Sequence, residues 1–83
     1  MEKVKKGDIV IFYPDFDDEE AVANGVTDGL PAIVTNVVDG TRVNLRVFAD
    51  SGDVLWRIDV EQAEEKPEAG VQAVERQCWI FRD

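Results

Sequence analysis

Two consecutive runs decide the fold: Thr41-Arg42-Val43-Asn44-Leu45-Arg46-Val47-Phe48-Ala49 and, after Asp50-Ser51-Gly52-Asp53, Val54-Leu55-Trp56-Arg57-Ile58-Asp59-Val60. Both alternate with a period of two, the signature of a strand with one buried and one wet face. The four residues between them are turn formers, so the pair reads as a β-hairpin. In the first arm Val43, Leu45 and Val47 are expected inside, with Arg42, Asn44, Arg46 and Phe48 outside. In the second arm Val54, Trp56, Ile58 and Val60 are expected inside, with Leu55, Arg57 and Asp59 outside. If Asp50–Asp53 is the whole loop, register follows by counting. Phe48 then faces Leu55, Val47 faces Trp56, Arg46 faces Arg57, Leu45 faces Ile58 and Val43 faces Val60. A slip of one residue would turn every side chain over, so this register is a sharp expectation.

The outward face of that hairpin is where a binding site is expected. Arg46 opposite Arg57 is a like-charge pair, which ordinarily weakens a sheet. Beside it lies the apolar pair Phe48 and Leu55. Arginine next to an exposed aromatic is the composition of an interface centre, so Arg46, Phe48, Leu55 and Arg57 are the candidate interface residues. Two alternatives remain open at this point: a solvated charge ladder, or an acidic loop of the same chain folded over the arginines.

Upstream, Ile9-Val10-Ile11-Phe12-Tyr13 is a strand by its β-branched and aromatic content, ended by Pro14. Asp15 to Leu30 is a long acidic loop with one or two helical turns. Asp17 or Asp18 would cap them, acids suit the first turn, and Gly25 would stop them. Pro31 to Val38 is a second strand, followed by the turn signal Asp39-Gly40. A two-residue turn there would place Ala32 and Val34 inside. A bulged three-residue turn would place Ile33 and Val37 inside instead. Downstream, Glu61 to Gly70 reads as a solvated acidic loop, and about Gln77 to Arg82 as a closing strand. Residues 1–83 are thus expected to form one all-β domain: a small five-stranded SH3-like barrel with a long acidic loop after strand 1. An open five-stranded antiparallel sheet is the alternative.

Composition removes several kinds of chemistry. The chain has 83 residues, no histidine, one cysteine and a net charge of −9. Without histidine there is no Ser–His or Cys–His nucleophile pair, and the lone Cys78 reads as a small apolar residue. Asp15, Asp17 and Glu19 have the alternate spacing of a calcium loop. Glu20 and Val26 then stand where an EF-hand needs glycine and glutamate. No enzymatic activity, cofactor or metal is expected. The negative charge argues against nucleic acid, whose binders carry a basic footprint. No apolar run approaches the roughly 20 residues of a membrane helix. MEKVKKGD lacks the apolar stretch of a secretion signal, so the protein is expected not to be secreted.

Gly7-Asp8-Ile9-Val10, Pro31-Ala32-Ile33-Val34-Thr35-Asn36-Val37, Asp39-Gly40 and Val43-Asn44-Leu45-Arg46-Val47-Phe48, then Trp79 and Phe81, resemble a group of small proteins of tailed bacteriophages and prophages. The resemblance spans nearly the whole chain and is most specific in the V-N-L-x-V-F segment. It departs at the end, where Trp79-Ile80-Phe81-Arg82 stands in place of Trp-x-Trp-Pro. It implies a phage origin, an SH3-like scaffold, and a location in the virion or the bacterial host cytoplasm, but no specific activity, since this fold hosts many functions.

Three readings compete. The first is a small virion component (decoration, cement or connector type) bound to a capsid or connector protein, with homo-oligomers expected. The second is an intracellular adaptor or inhibitor of a host protein, its acids at 15–20 and 61–68 mimicking a polyanion. The third is an SH3-like reader of peptides or nucleic acid using Tyr13, Phe48, Trp56 or Trp79. The first is preferred.

Overall fold

A computed structural model describes residues 3–22, 29–49, 52–68, 71 and 73–82. Five strands occur in chain order: β1 (Ile9–Tyr13), β2 (Leu30–Val37), β3 (Arg42–Phe48), β4 (Val54–Gln62) and β5 (Cys78–Phe81), with one short helix, α1 (Glu19–Val22), between β1 and β2. They close into a β-barrel in the order β1-β2-β3-β4-β5. All neighbours are antiparallel except β4 and β5, which run parallel over a short stretch at Glu61–Cys78 and Gln62–Trp79. The chain is a small, all-β, SH3-like barrel, and closure leaves few open edges for a short chain to protect.

The barrel interior holds the inward positions of every strand. Val10, Phe12, Ala32, Val43, Leu45, Val47, Val60 and Trp79 have no exposed surface. The largest of them is Trp79, whose indole N–H donates to the Thr41 carbonyl at 2.9 Å. Its ring meets Phe81 edge to face, with centroids 5.0 Å apart, one of the arrangements aromatic pairs prefer. Trp79 is therefore core and offers no binding groove, contrary to the peptide-reader expectation; Tyr13 is buried as well.

Two bulges face Asn44 from its neighbouring strands. In β2 the register steps between Val34, opposite Leu45, and Asn36, opposite Asn44, which leaves Thr35 as the extra residue. The Thr35 hydroxyl donates to the Asn44 carbonyl at 3.2 Å. In β4 the register steps between Leu45–Arg57 and Val43–Val60, so Ile58 and Asp59 together oppose Asn44. Asp59 is left-handed, with φ 53°, and its N–H donates to the Asn44 side-chain oxygen at 3.1 Å. Such bulges bend and twist their strands, as a small barrel requires. They also resolve the β2–β3 turn. Ala32 and Val34 are buried, as the two-residue turn implies. The bulge then swings Val37 against the core as well, so the first expected pair lies wholly inside and the second contributes Val37. The turn itself is longer than two residues: Val38 and Asp39 N–H both donate to the Arg42 carbonyl. The Asp39 carboxylate accepts from the N–H of Thr41 and of Arg42. Those bonds, with Arg42's side chain, hold its pKa down at about 2.

The β3–β4 hairpin departs from the counted register. β3 ends at Phe48 and β4 begins at Val54, so Ala49 joins the loop; its N–H donates to the Asp53 carbonyl at 2.9 Å. One extra loop residue shifts the pairing by one: Phe48 faces Val54, Val47 faces Leu55, Arg46 faces Trp56 and Leu45 faces Arg57. The bulge at Ile58–Asp59 removes the shift, so Val43 opposite Val60 stands as counted, with Arg42 opposite Glu61 beyond it. Over Val54 to Ile58 the expected faces are reversed. Leu55 is buried, while Val54, Trp56 and Ile58 are 51, 57 and 52% exposed.

Gly29 lets β2 enter the barrel. Its φ is +83°, and a Cβ there would overlap the Ile11 side chain and crowd Tyr13. Only glycine combines that backbone with that approach. The expected stop at Gly25 and the turn residues Thr27 and Asp28 lie outside the described residues.

Candidate functional site

The reversal on β4 redraws the candidate interface. Of its four residues, Leu55 faces the core and is removed. Arg57 shares Leu55's side of β4, where Asp18, just before α1, and Glu20, within it, reach its guanidinium. Asp18 precedes α1 and caps it: the Asp18 carboxylate accepts from Ala21 N–H at 3.3 Å and its carbonyl from Val22 N–H at 2.9 Å. The same carboxylate takes the Arg57 fork in two bonds of 2.8 Å, from Nε and Nη2. Nη2 also donates to Glu20 at 3.0 Å, and Nη1 to the Trp56 carbonyl at 2.8 Å. Hydrogen bonding to Arg57 holds the Asp18 carboxyl below its ordinary range, and the two carboxylates push the Arg57 pKa up. Arg46 is not opposite Arg57, so the like-charge pair does not form. Of the two alternatives, the acidic loop does fold onto one arginine, Arg57, and leaves the other.

Arg46 and Phe48 remain outward, in different company. Backbone pairing sets Ile9 beside Ile33, Ile33 beside Arg46, and Arg46 beside Trp56. This row crosses four strands on the outer surface. The next outward positions are Ile11 paired with Pro31, and Phe48 paired with Val54. Ile9 and Phe48 are exposed alongside Val54 and Trp56, and Ile11 and Ile33 are partly so. The result is an apolar outer face with one cation near its centre. The Arg46 Cζ lies 5.7 Å from the Trp56 ring centroid, within cation–π range. Arg46 has no ion pair among the described residues, unlike Arg42 and Arg57.

Counting along strands missed Val54 and Trp56 because it placed them inside. The available signal was their sequence: a tryptophan and an arginine on adjacent strands, one register step from facing each other.

A concavity elsewhere on the barrel differs in kind. It encloses about 320 Å³ between Asp15, Arg42, Asp59, Glu61, Arg76 and Gln77. Its charges are mixed and Arg42 is partly spent, lying 3.9 Å from Asp59 within it and 2.7 Å from Asp39 outside it. Both contacts are exposed, where ion pairs are worth little. No group of three metal-ligating side chains occurs among the described residues, so Asp15, Asp17 and Glu19 do not gather into a cage. Cys78 is half-buried, and burial raises its thiol pKa; a raised pKa keeps it in the unreactive thiol form. No helix among the described residues is long and apolar enough to cross a membrane.

Compared with known proteins, the chain matches no family model, no curated protein and no solved structure.

Proposed function

We propose that this protein is a non-enzymatic protein-binding module that docks through the outer face of β1–β4, as a small accessory component of a tailed-phage particle. The observation that carries the docking reading is the row Ile9–Ile33–Arg46–Trp56, with Phe48 and Val54 alongside. Tryptophan and arginine are the residues most enriched among those that dominate binding energy. A contiguous apolar face of this kind on a small domain marks an interaction site more often than an ordinary surface. The particle assignment rests on the sequence resemblance, from Gly7-Asp8-Ile9-Val10 to Trp79 and Phe81. The polyanion-mimic reading has less support, because Asp18, Glu20, Asp39 and Asp59 are turned toward arginines of their own chain.

Mass spectrometry of purified particles from the source phage or induced prophage tests the assignment. Peptides of this chain in fixed proportion to the major capsid protein are expected. Absence from clean particles would overturn the particle component and leave an intracellular partner.

A further inference from the structure

We infer that the partner segment docking on this face carries a carboxylate set between apolar side chains, and that Arg46 is the group that reads it. This rests on the docking reading above and adds the chemistry of the occupant.

Three arginines lie on the paired strands β3 and β4. Arg42 is held by Asp39 and Asp59, and Arg57 by Asp18 and Glu20. Arg46 alone of the three has no carboxylate in reach among the described residues, and it sits on the apolar row between Ile33 and Trp56. A guanidinium lying against an aromatic ring keeps its in-plane N–H donors free for a planar acceptor. When a partner covers Trp56, Phe48, Val54 and Ile9, water leaves Arg46 too. A desolvated, unpaired cation is costly, so a well-fitting partner must bring an acceptor. A carboxylate matches in charge and accepts the guanidinium fork in two bonds. A neutral or basic group at that point would be rejected, which makes Arg46 a source of specificity.

A second copy of the chain fits poorly. None of the outward strand positions named on this face is acidic, so a twofold contact centred on Arg46 would set it near its own counterpart. Each copy also carries a net charge of −9, and self-association must overcome that repulsion.

The test is selection of binders from a displayed library of random peptides, with affinities then measured on wild type, Arg46→Gln, Arg46→Glu and Trp56→Ala. Both positions are exposed, and unfolding curves should confirm that each variant is folded. Enriched peptides should share an Asp or Glu flanked by apolar residues. They should lose affinity on the order of tenfold on Arg46→Gln, equivalent to about 1.4 kcal/mol, while Arg46→Glu should enrich Lys or Arg at that position. Peptides weakened by Trp56→Ala but indifferent to Arg46→Gln would overturn the acid-reading role and leave the docking face standing. Peptides indifferent to both, or no peptides at all, would overturn both. Concentration-dependent dimerisation in sedimentation, lost in Trp56→Ala, would give the face to a second copy and overturn the inference.

Discussion

The two tryptophans occupy opposite sides of the same barrel wall. Trp79 on β5 has no exposed surface, spends its indole N–H on the Thr41 carbonyl and stacks its edge against Phe81. Trp56 on β4 is 57% exposed, with the Arg46 guanidinium 5.7 Å from its ring centroid. Residue type does not separate them. Their partners do: the first has every polar and apolar requirement met inside the fold, and the second has not. That large exposed aromatic is the basis for proposing the outer face as a docking surface.

The comparison can be broken most readily at Trp79. Trp79→Ala should cost about 3–5 kcal/mol, a large part of a small domain's stability, and leave the chain largely unfolded in denaturant titration. Survival with near-wild-type stability would contradict its central place in the core. Leu55 and Val54 sharpen the contrast on one strand. Leu55→Ala should cost about 2–5 kcal/mol, whereas the exposed Val54→Ala should stay within about 0.5 kcal/mol. Equal costs would mean that the β4 register is wrong.

Arg57 gives a smaller effect. Arg57→Gln removes charged hydrogen bonds to Asp18 and Glu20 and should cost about 2 kcal/mol. It should also change the acid limb of stability. The Asp18 carboxyl is depressed in the folded state by those bonds. Its contribution is therefore complete above its unfolded pKa, near 3.8, and is lost as pH falls through the lower folded value. In Arg57→Gln that part of the acid-induced loss should shrink. An unchanged acid limb would show that α1 is not latched by this pair. The smallest expected effect is on Trp56 itself, where Trp56→Ala should leave stability within about 0.5 kcal/mol of wild type.

The inner wall was the legible part of the sequence. Val43, Leu45 and Val47 alternate with polar residues, and a half-buried strand next to a turn leaves them one consistent placement. β1 and β5 were equally plain, whereas the cap was narrowed only to Asp17 or Asp18, and the structure selects Asp18. What counting could not supply was the phase of β4. Both of its faces are apolar enough to be buried, since Val54, Trp56 and Ile58 compete with Leu55 and Val60. Two compensating irregularities, Ala49 joining the loop and Asp59 entering a left-handed bulge beside Asn44, leave the Val43–Val60 end of the pairing as counted while inverting the faces from Val54 to Ile58. The interface candidates inherited that ambiguity: Arg46 and Phe48 survive, Leu55 goes inside, and Arg57 is taken by Asp18. The acidic loop folding over the arginines was an open alternative, but pattern could not single out Asp18 and Arg57, which lie 39 positions apart with no periodic relation.

The central claim is that Trp56 is dispensable for the fold and required for docking. The most direct measurement is particle incorporation of Trp56→Ala in competition with wild type, quantified by mass spectrometry after both chains are shown to unfold at the same denaturant concentration. The account predicts a folded variant depleted from particles by tenfold or more, about 1.4 kcal/mol of lost binding. Incorporation equal to wild type would contradict it.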